Sequence, residues 1–366
     1  MNPRSIGFVG AAVAAAGATA AICFADALRA VPGQAAIEQG IDPAPAGAAT
    51  DPIGVLGAAG PWLSPPAGGP RALRGKIVVV NFWTYSCINS LRALPYLHAW
   101  SDRYGKDGLE VIGVHAPEFG FEKDPAKVRV AIAELGVRYP NLQDNRYAVW
   151  QDFANQGWPG IYFIDARGRV RGYRLGEGNY AEGERLIRAL LKEAGHDPGP
   201  ALASVDAKGA QAPADWADLR SPESYLGYAK ADGFASTGGL RHDVGTDYAA
   251  AAALPLNQWD LAGNWTAGRE FATAMRPGGA IRFRFHARDA HLVLGGVPGR
   301  PVRFRVTIDG KAPGASHGVD VDAQGWGTVK EDRLYQLIRQ SGPIADRALR
   351  IEFAGPGVRA YVFTFG

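Results

Sequence analysis

The sequence predicts an α/β domain followed by an all-β sandwich. Three observations predict it. The apolar run Ile77-Val78-Val79-Val80 leads into Trp83-Thr84-Tyr85-Ser86-Cys87-Ile88-Asn89-Ser90, which precedes a helical pattern. Strand and helix patterns then alternate to about residue 195. Beyond residue 218 the apolar period changes to two, with many Gly and Pro turns, as in an antiparallel sandwich or jelly roll.

A chain of 366 residues, 47% of them apolar, has room for two or three domains with real cores. Its net charge of +3 and the lack of a basic block interleaved with aromatics argue against nucleic acid as a partner. There are two cysteines, and Cys23 lies in an N-terminal apolar segment. Cys87 is therefore alone in the body of the protein, and no intramolecular disulfide survives a cleavage beyond Cys23.

Residues 5–25 carry no charge, Arg4 precedes them, and Ala25-Asp26-Ala27 offers a small-x-small cleavage site. Residues 1–30 read as a signal peptide or an uncleaved N-terminal anchor. About twenty residues at ~1.5 Å rise cover ~30 Å, a hydrocarbon core, although the run is mostly Ala and Gly. Ile22 before Cys23 fits a lipoprotein signal poorly. Either reading exports the chain to a periplasmic or other extracytoplasmic compartment, secreted or anchored, where disulfide chemistry is possible. Residues 31–60, rich in Ala, Gly and Pro, read as a flexible linker, and residues 196–218 as a second one.

Between the linkers, residues 61–195 form the α/β domain. Ile77 to Phe82 is near-continuously apolar, as in a strand covered on both faces. Ile88 to Tyr104 is helical, with Leu91, Leu94, Leu97 and Trp100 at three-residue steps and a kink expected at Pro95. Leu109 to Val114 is a strand. Pro125 to Leu135 is a helix with Asp124 as N-cap and Pro at N1. Tyr147 to Asn155 is a short helix. Gly160 to Ile164 and Arg169 to Arg174 pair across the turn Asp165-Ala166-Arg167-Gly168. Tyr180 to Glu193 closes the unit as a helix.

Residues 219–366 form the sandwich. Ile281, Phe283 and Phe285 alternate with Arg282, Arg284 and His286, so His286 is expected to face solvent. Val302, Phe304, Val306 and Ile308 alternate likewise, as do Tyr361, Phe363 and Phe365. Glu331 to Arg339 reads as one short helix.

An aromatic and then a cysteine at a strand-to-helix junction resembles the thioredoxin active site. The second cysteine of the expected C-x-x-C is Ser90 here. A thiolate is the nucleophile of disulfide exchange, and the first turn of a helix favours the anion. Ser90 can donate a hydrogen bond to the Cys87 sulfur, so a moderately lowered thiol pKa is expected. Attack on a disulfide gives a mixed disulfide that serine cannot resolve. Release then falls to a thiol on the substrate or a small-molecule thiol. Oxidation of Cys87 to a sulfenic acid is a further route. The bland alternative is a buried, inert cysteine that packs like a small hydrophobe. Trp158-Pro159-Gly160, ahead of strand Ile161-Tyr162-Phe163-Ile164, weighs against it, because a cis proline faces the active-site cysteine in thioredoxin folds.

These residues together resemble the thioredoxin-like periplasmic region of DipZ-type thiol-disulfide exchange proteins, a redoxin-like family that typically reads W-T-Y-x-C-I-N-C-L-R. The resemblance runs from Leu73 to Asn89 and through Leu91-Arg92, Pro95-Tyr96, His115 to Phe119, Phe121-Glu122, Tyr139-Pro140, Gln143 to Asn145, Trp158-Pro159, Phe163 to Asp165 and Gly176 to Gly178. It continues in Ser221 to Tyr228, Phe285 to Asp289 and Arg333 to Leu337, which look like that family's C-terminal sandwich, itself similar to carbohydrate-binding modules. The membrane-embedded electron-relay domain of full DipZ has no counterpart in these residues. The resemblance implies oxidoreductase activity and carries the attacking role onto Cys87. The resolving role does not carry over, since position 90 is Ser.

The expected catalytic set is Cys87 and Ser90, with Pro159 shaping a substrate groove beside Trp83 and Trp158. Glu118 is either a proton relay near the sulfur or an exposed loop carboxylate. His115 reads as packing, and Glu177 and Asn179 as turn chemistry. Trp259, Trp265, Trp326, Tyr225 and Tyr228 are core aromatics or a glycan-stacking set. His286, His291, Asp289 and His317 lack compact metal-ligand spacing, and no cofactor is expected. Expected partners are protein thiols and disulfides, a membrane electron-relay protein or small-molecule thiol, and a glycan on the sandwich. The main reading is a monothiol exchange protein. Its rivals are a redox-inactive docking protein and a one-cysteine peroxidase, the latter because Thr84-Tyr85-Ser86-Cys87 has T-x-x-C spacing.

Overall fold

A computed structural model describes residues 40–366. The signal or anchor segment, Cys23 and the first part of the expected linker lie outside the described residues. Among the described residues no helix is long and apolar enough to cross a membrane.

The α/β domain is built on a six-stranded sheet. Its strands are β1 (Trp62–Ser64), β2 (Ile77–Trp83), β3 (Leu109–His115), β4 (Asn141–Gln143), β5 (Gly160–Ile164) and β6 (Val170–Leu175), in the order β1-β4-β3-β2-β5-β6. β2 pairs parallel with β3 and antiparallel with β5. Its helices are α1 (Pro52–Ala58), α2 (Ile88–Tyr104), α3 (Pro125–Glu134), α4 (Ala148–Asp152) and α5 (Tyr180–Glu193).

Period-two geometry explains the continuous apolar run of β2, since alternate side chains point to opposite faces. Ile77, Val79 and Trp83 pack with Leu94, Leu97 and Trp100 of α2, Val128 of α3 and Ile187, Leu190 and Leu191 of α5. Val78, Val80 and Phe82 pack with Ile53 and Leu56 of α1 and Val149 and Trp150 of α4. Both faces are covered, so the thioredoxin-like layering expected from the sequence is present. α2 and α5 match their expected bounds, and Asp124 caps α3 by accepting from the Ala126 N–H at 2.9 Å. Pro95 lies inside α2.

The linkers depart from expectation. Within residues 40–60, Asp51 caps α1 and Asp42 bridges to Tyr173, while Ile53 and Leu56 are buried. Two apolar side chains in a short helix were enough to anchor a segment whose composition reads as a spacer. The segment 196–218 is irregular yet held. Arg103 donates to the Pro198 carbonyl, Arg188 to the Gly199 and Ala201 carbonyls, and Ala203 N–H to Glu184.

The C-terminal domain is a curled antiparallel sheet. Its strands are β7 (Ser224–Tyr225), β8 (Gly245–Tyr248), β9 (Trp259–Ala267), β10 (Ala272–Ala274), β11 (Ala280–Phe285), β12 (Asp289–Gly295), β13 (Val302–Ile308), β14 (Trp326–Val329), β15 (Arg333–Arg339), β16 (Arg347–Phe353) and β17 (Arg359–Phe365). β9 serves both layers: Trp259 to Ala262 pair with β11, and Trp265 to Ala267 with β10. Trp259 and Trp265 are fully buried core, not a sugar platform.

Two expectations are corrected here. Residues 333–339 form strand β15, not a helix. Tyr335, Leu337 and Ile338 enter the sandwich core while Leu334 joins the α/β core, and burial on both sides gave a helix-like apolar run. His286 is buried, not solvent-facing. β11 ends at Phe285, so the strand alternation stops there, and His286 Nδ1 lies 2.7 Å from Asp346 Oδ1.

The two domains share a core. Val293, Leu334, Tyr361 and Val362 pack into the α/β domain's cluster. β17 makes this possible: opposite Leu292 and Leu294 it advances from Phe363 to Ala360, an extra residue that breaks the period of two. Tyr361 then meets Phe119 and Phe121 at ring-centroid distances of 5.0 and 4.9 Å. Lys127 pairs with Asp332 at 2.5 Å across the same seam.

A second constraint lies under α2. Arg92 and Glu177 form an ion pair at 3.1 Å, with side chains 1% and 5% exposed. Glu177 is thus an ionic partner and not mere turn chemistry. Removing one member of such a pair strands the other charge. Arg92→Met is expected to destabilise the protein by about 3 kcal/mol in urea unfolding. Adding Glu177→Gln is expected to recover much of that loss.

Candidate thiol site

Cys87 occupies the N-cap of α2 in extended conformation, and its carbonyl accepts the Leu91 N–H at 3.0 Å. The strand-to-helix junction therefore delivers the thiol to a helix N-terminus, as the sequence implied. Ser90, one turn on, is buried, its hydroxyl accepts from the Thr84 N–H at 3.4 Å, and its polar groups favour the Cys87 thiolate. Trp158-Pro159 is a cis peptide bond, as expected from the sequence. The Pro159 carbonyl accepts from Gly176 N–H at 2.8 Å.

The thiol is not the exposed, lowered-pKa group the motif led us to expect. Cys87 is only 9% exposed. Burial pushes its pKa well up, the Glu118 and Glu223 carboxylates push it further, and the Ser90 donors oppose them. Two of these causes come from outside the helix that carries the cysteine. Helix-terminal stabilisation is a local effect worth about 1 kcal/mol, and removal from water outweighs it.

Trp83 does not line a groove. It is fully buried, and its indole N–H donates to Asn141 Oδ1 at 3.0 Å. Trp158 is half-buried, donates to the Ala116 carbonyl at 3.0 Å and lies 4.6 Å from the Trp150 ring. His115 is packing, as its place at a strand end suggested. It stacks on Tyr85 and meets Trp83 edge-on, and burial lowers its pKa to about 3, so it is neutral. Glu118 is not an exposed loop carboxylate. Its side chain is 6% exposed and accepts from the Tyr225 hydroxyl of the C-terminal domain.

The sequence reading missed Glu122. In sequence it enters only within the Phe121-Glu122 match, with no role assigned. In the structure it is fully buried and ties the cysteine loop to the loop after β3. One oxygen accepts from the Thr84 hydroxyl, the Ser86 hydroxyl at 2.6 Å and the Ser86 N–H at 3.3 Å. The other accepts from the N–H groups of Glu118 at 2.6 Å and Phe119 at 3.0 Å. The signal available was two hydroxyl residues flanking Tyr85 with an acid in the next motif block.

Comparison with known proteins agrees with this geometry. Residues 71–173, which include Cys87, match the AhpC/TSA family, and residues 221–366 match a family described as the thioredoxin like C-terminal domain. Protein DipZ of Mycobacterium tuberculosis is 40% identical over 256 residues, 68% of this chain and 35% of DipZ. The thiol-disulfide oxidoreductase YkuV of Bacillus subtilis is 27% identical over 132 residues, 36% of this chain and 88% of YkuV. A thiol-disulfide isomerase structure from Corynebacterium glutamicum covers 36% of this chain and 91% of its own, with 24% identity and a TM-score of 0.33. The chain is thioredoxin-like and similar to DipZ over those 256 residues, which span about a third of DipZ's length.

Burial raises the Glu122 pKa to about 7, with the donors opposing. The native state therefore holds a proton that the unfolded chain releases near the ordinary glutamate value. Stability contributed by this group is full below that value and is lost as pH rises towards 7. Relative to Glu122→Gln, which cannot ionise, the wild type is expected to lose on the order of 2–3 kcal/mol between about pH 4.5 and 7. Urea unfolding of both proteins across that range measures it.

Proposed function

We propose that the chain is an exported thiol-disulfide exchange protein that works through Cys87 alone. The observation that carries this is Cys87 at the N-cap of α2, with Ser90 three residues on in the position of a resolving thiol. The AhpC/TSA match over this segment and the similarity to DipZ and to the oxidoreductase YkuV support it. The charge-free segment 5–25 supports export to a periplasmic or equivalent compartment.

In the proposed cycle the Cys87 thiol gives up its proton, with Glu118 as the relay. The thiolate bonds to one sulfur of a substrate disulfide, and the other sulfur leaves as a thiolate and is protonated. A second thiol then attacks the mixed disulfide, which forms a new disulfide and returns Cys87 to the thiol. No net electrons are gained or lost by the chain. Ser90 stabilises the sulfur anion by hydrogen bonding but has no sulfur with which to close an internal disulfide. Trp158 and cis Pro159 border the substrate groove. The returning thiol comes from the substrate, a small-molecule thiol or a membrane electron-relay protein. The C-terminal domain, through the half-buried Trp326, whose ring carries the Arg303 and Arg305 guanidiniums, is the proposed glycan contact.

The burial of Cys87 favours one other reading, a docking protein without turnover. A one-cysteine peroxidase gains from the AhpC/TSA match, but Thr84 is bonded to Glu122 and Arg92 is engaged by Glu177.

Insulin-disulfide reduction separates these readings. Activity is expected with added glutathione and not without it, and Cys87→Ala is expected to abolish it. Ser90→Cys is expected to give activity without glutathione, raised tenfold or more by effective concentration. Silence of the wild type in both conditions points to docking, and peroxide consumption points to the peroxidase.

A further inference from the structure

The C-terminal domain reaches the loop after β3 through residues 221–230, where Tyr225 and Lys230 meet Glu118. β7 is bonded to β17, with Tyr225 opposite Val362, and Leu226 N–H donates to the Tyr361 carbonyl at 2.8 Å. Gly227 lies flat on the Glu270-Phe271 backbone, where a Cβ would fall 2.1 Å from the Glu270 carbonyl carbon. The backbone that presents Tyr225 is thus fixed on both sides.

The Tyr225 hydroxyl donates to Glu118 and lies 3.0 Å from Glu223 Oε2. A hydroxyl has one proton, so it cannot donate to both carboxylates at once. The pair is satisfied when Glu223 carries a proton and donates to Tyr225, which donates to Glu118. Desolvation and the Glu118 charge raise the Glu223 pKa to about 7, so the protonated form prevails below that pH and the carboxylate above it. Lys230 lies on the Tyr225 ring, 4.2 Å from its centroid, and 3.6 Å from Glu118 Oε1. This ammonium, half-exposed, already occupies the kind of place a substrate cation would take.

We infer that the C-terminal domain completes the thiol site: Tyr225 is a positioning residue that holds the Glu118 and Glu223 carboxyls at the loop which Glu122 ties to Ser86, next in sequence to Cys87, and the charge so placed makes the site favour cationic over anionic disulfides. The inference rests on the exchange reading above and names its substrate class. The other groups around the thiol leave these charges in command. Glu122 is buried behind the loop under five donors, His115 is neutral, and Arg92 is paired with Glu177.

The test uses the full chain and follows Cys87 itself, by peptide mass spectrometry after iodoacetamide alkylation across pH. Iodoacetamide is neutral, so the probe adds no charge bias. Above about pH 7, where Glu223 is ionised and the thiol titrates, Glu223→Gln removes a negative charge and is expected to lower the midpoint by about half a pH unit or more. Lys230→Met removes a positive charge and is expected to raise it. Tyr225→Phe is expected to lower it and to shrink the effect of Glu223→Gln in the double variant, since the clamp is gone. A loosened interface would move both charge variants the same way, and that result, or no movement at all, overturns the inference. The second measurement compares exchange with cystamine and with 3,3′-dithiodipropionate. The cationic disulfide is expected to react about fivefold faster, with the ratio falling in Glu223→Gln. A ratio near one in the wild type overturns the substrate class. Midpoint shifts of the stated signs with no exchange at all sink the exchange reading and leave the completed site standing.

Discussion

The thiol site depends on one seam of aromatic packing between the domains. Tyr361 sits against Phe119 and Phe121, and Phe271 packs behind it at 5.0 Å. Each such pair contributes about 0.5–1.5 kcal/mol beyond its buried area. Phe119 caps the 120–123 turn that carries Phe121 and Glu122, and Glu118 precedes it. Packing of the C-terminal domain therefore fixes the loop that holds both carboxylates near Cys87. A thioredoxin-like domain alone would leave that loop facing water.

Glu122 shows how the seam reaches the cysteine. Five donors converge on its two oxygens, and three of them belong to Thr84 and Ser86, immediately before Cys87. A buried carboxylate is tolerable only with such partners. Loop and acid are mutually dependent: without Glu122 the hydroxyls and N–H groups are orphaned, and without them the acid is uncompensated. The competition between burial and donors leaves its pKa near 7.

What the sequence shows clearly is what local chemistry determines. β2, α2, β5 and α5 could be placed because apolar period, caps and length agree within each segment. Cys87 at a helix start and the cis proline were legible for the same reason. The failures share a different cause. β15 read as a helix, Trp83 as a groove residue and Cys87 as a thiol of lowered pKa, while Glu122 was given no role. In each case the deciding neighbour lies far along the chain: the α/β core for Leu334, Asn141 for Trp83, Thr84 and Ser86 for Glu122, the C-terminal domain for Cys87. Periodicity reports how many faces are covered but not by what.

In the proposed exchange cycle, burial of the thiol and a serine at position 90 fit together. A dithiol site can leave its nucleophile exposed and ionised, because the second thiol captures an oxidised sulfur as a disulfide. A solitary exposed thiolate has no such rescue and climbs towards irreversible acids. With Ser90 at the resolving position, a protonated and enclosed Cys87 is the safer resting state. The same enclosure slows attack on disulfides, since only the thiolate reacts. The site can answer both demands if the thiolate forms mainly when a substrate cation offsets Glu118 and Glu223. Charge on the substrate then does for this cysteine what a neighbouring histidine or lysine does for an open one, and reactivity is confined to the encounter in which it is used.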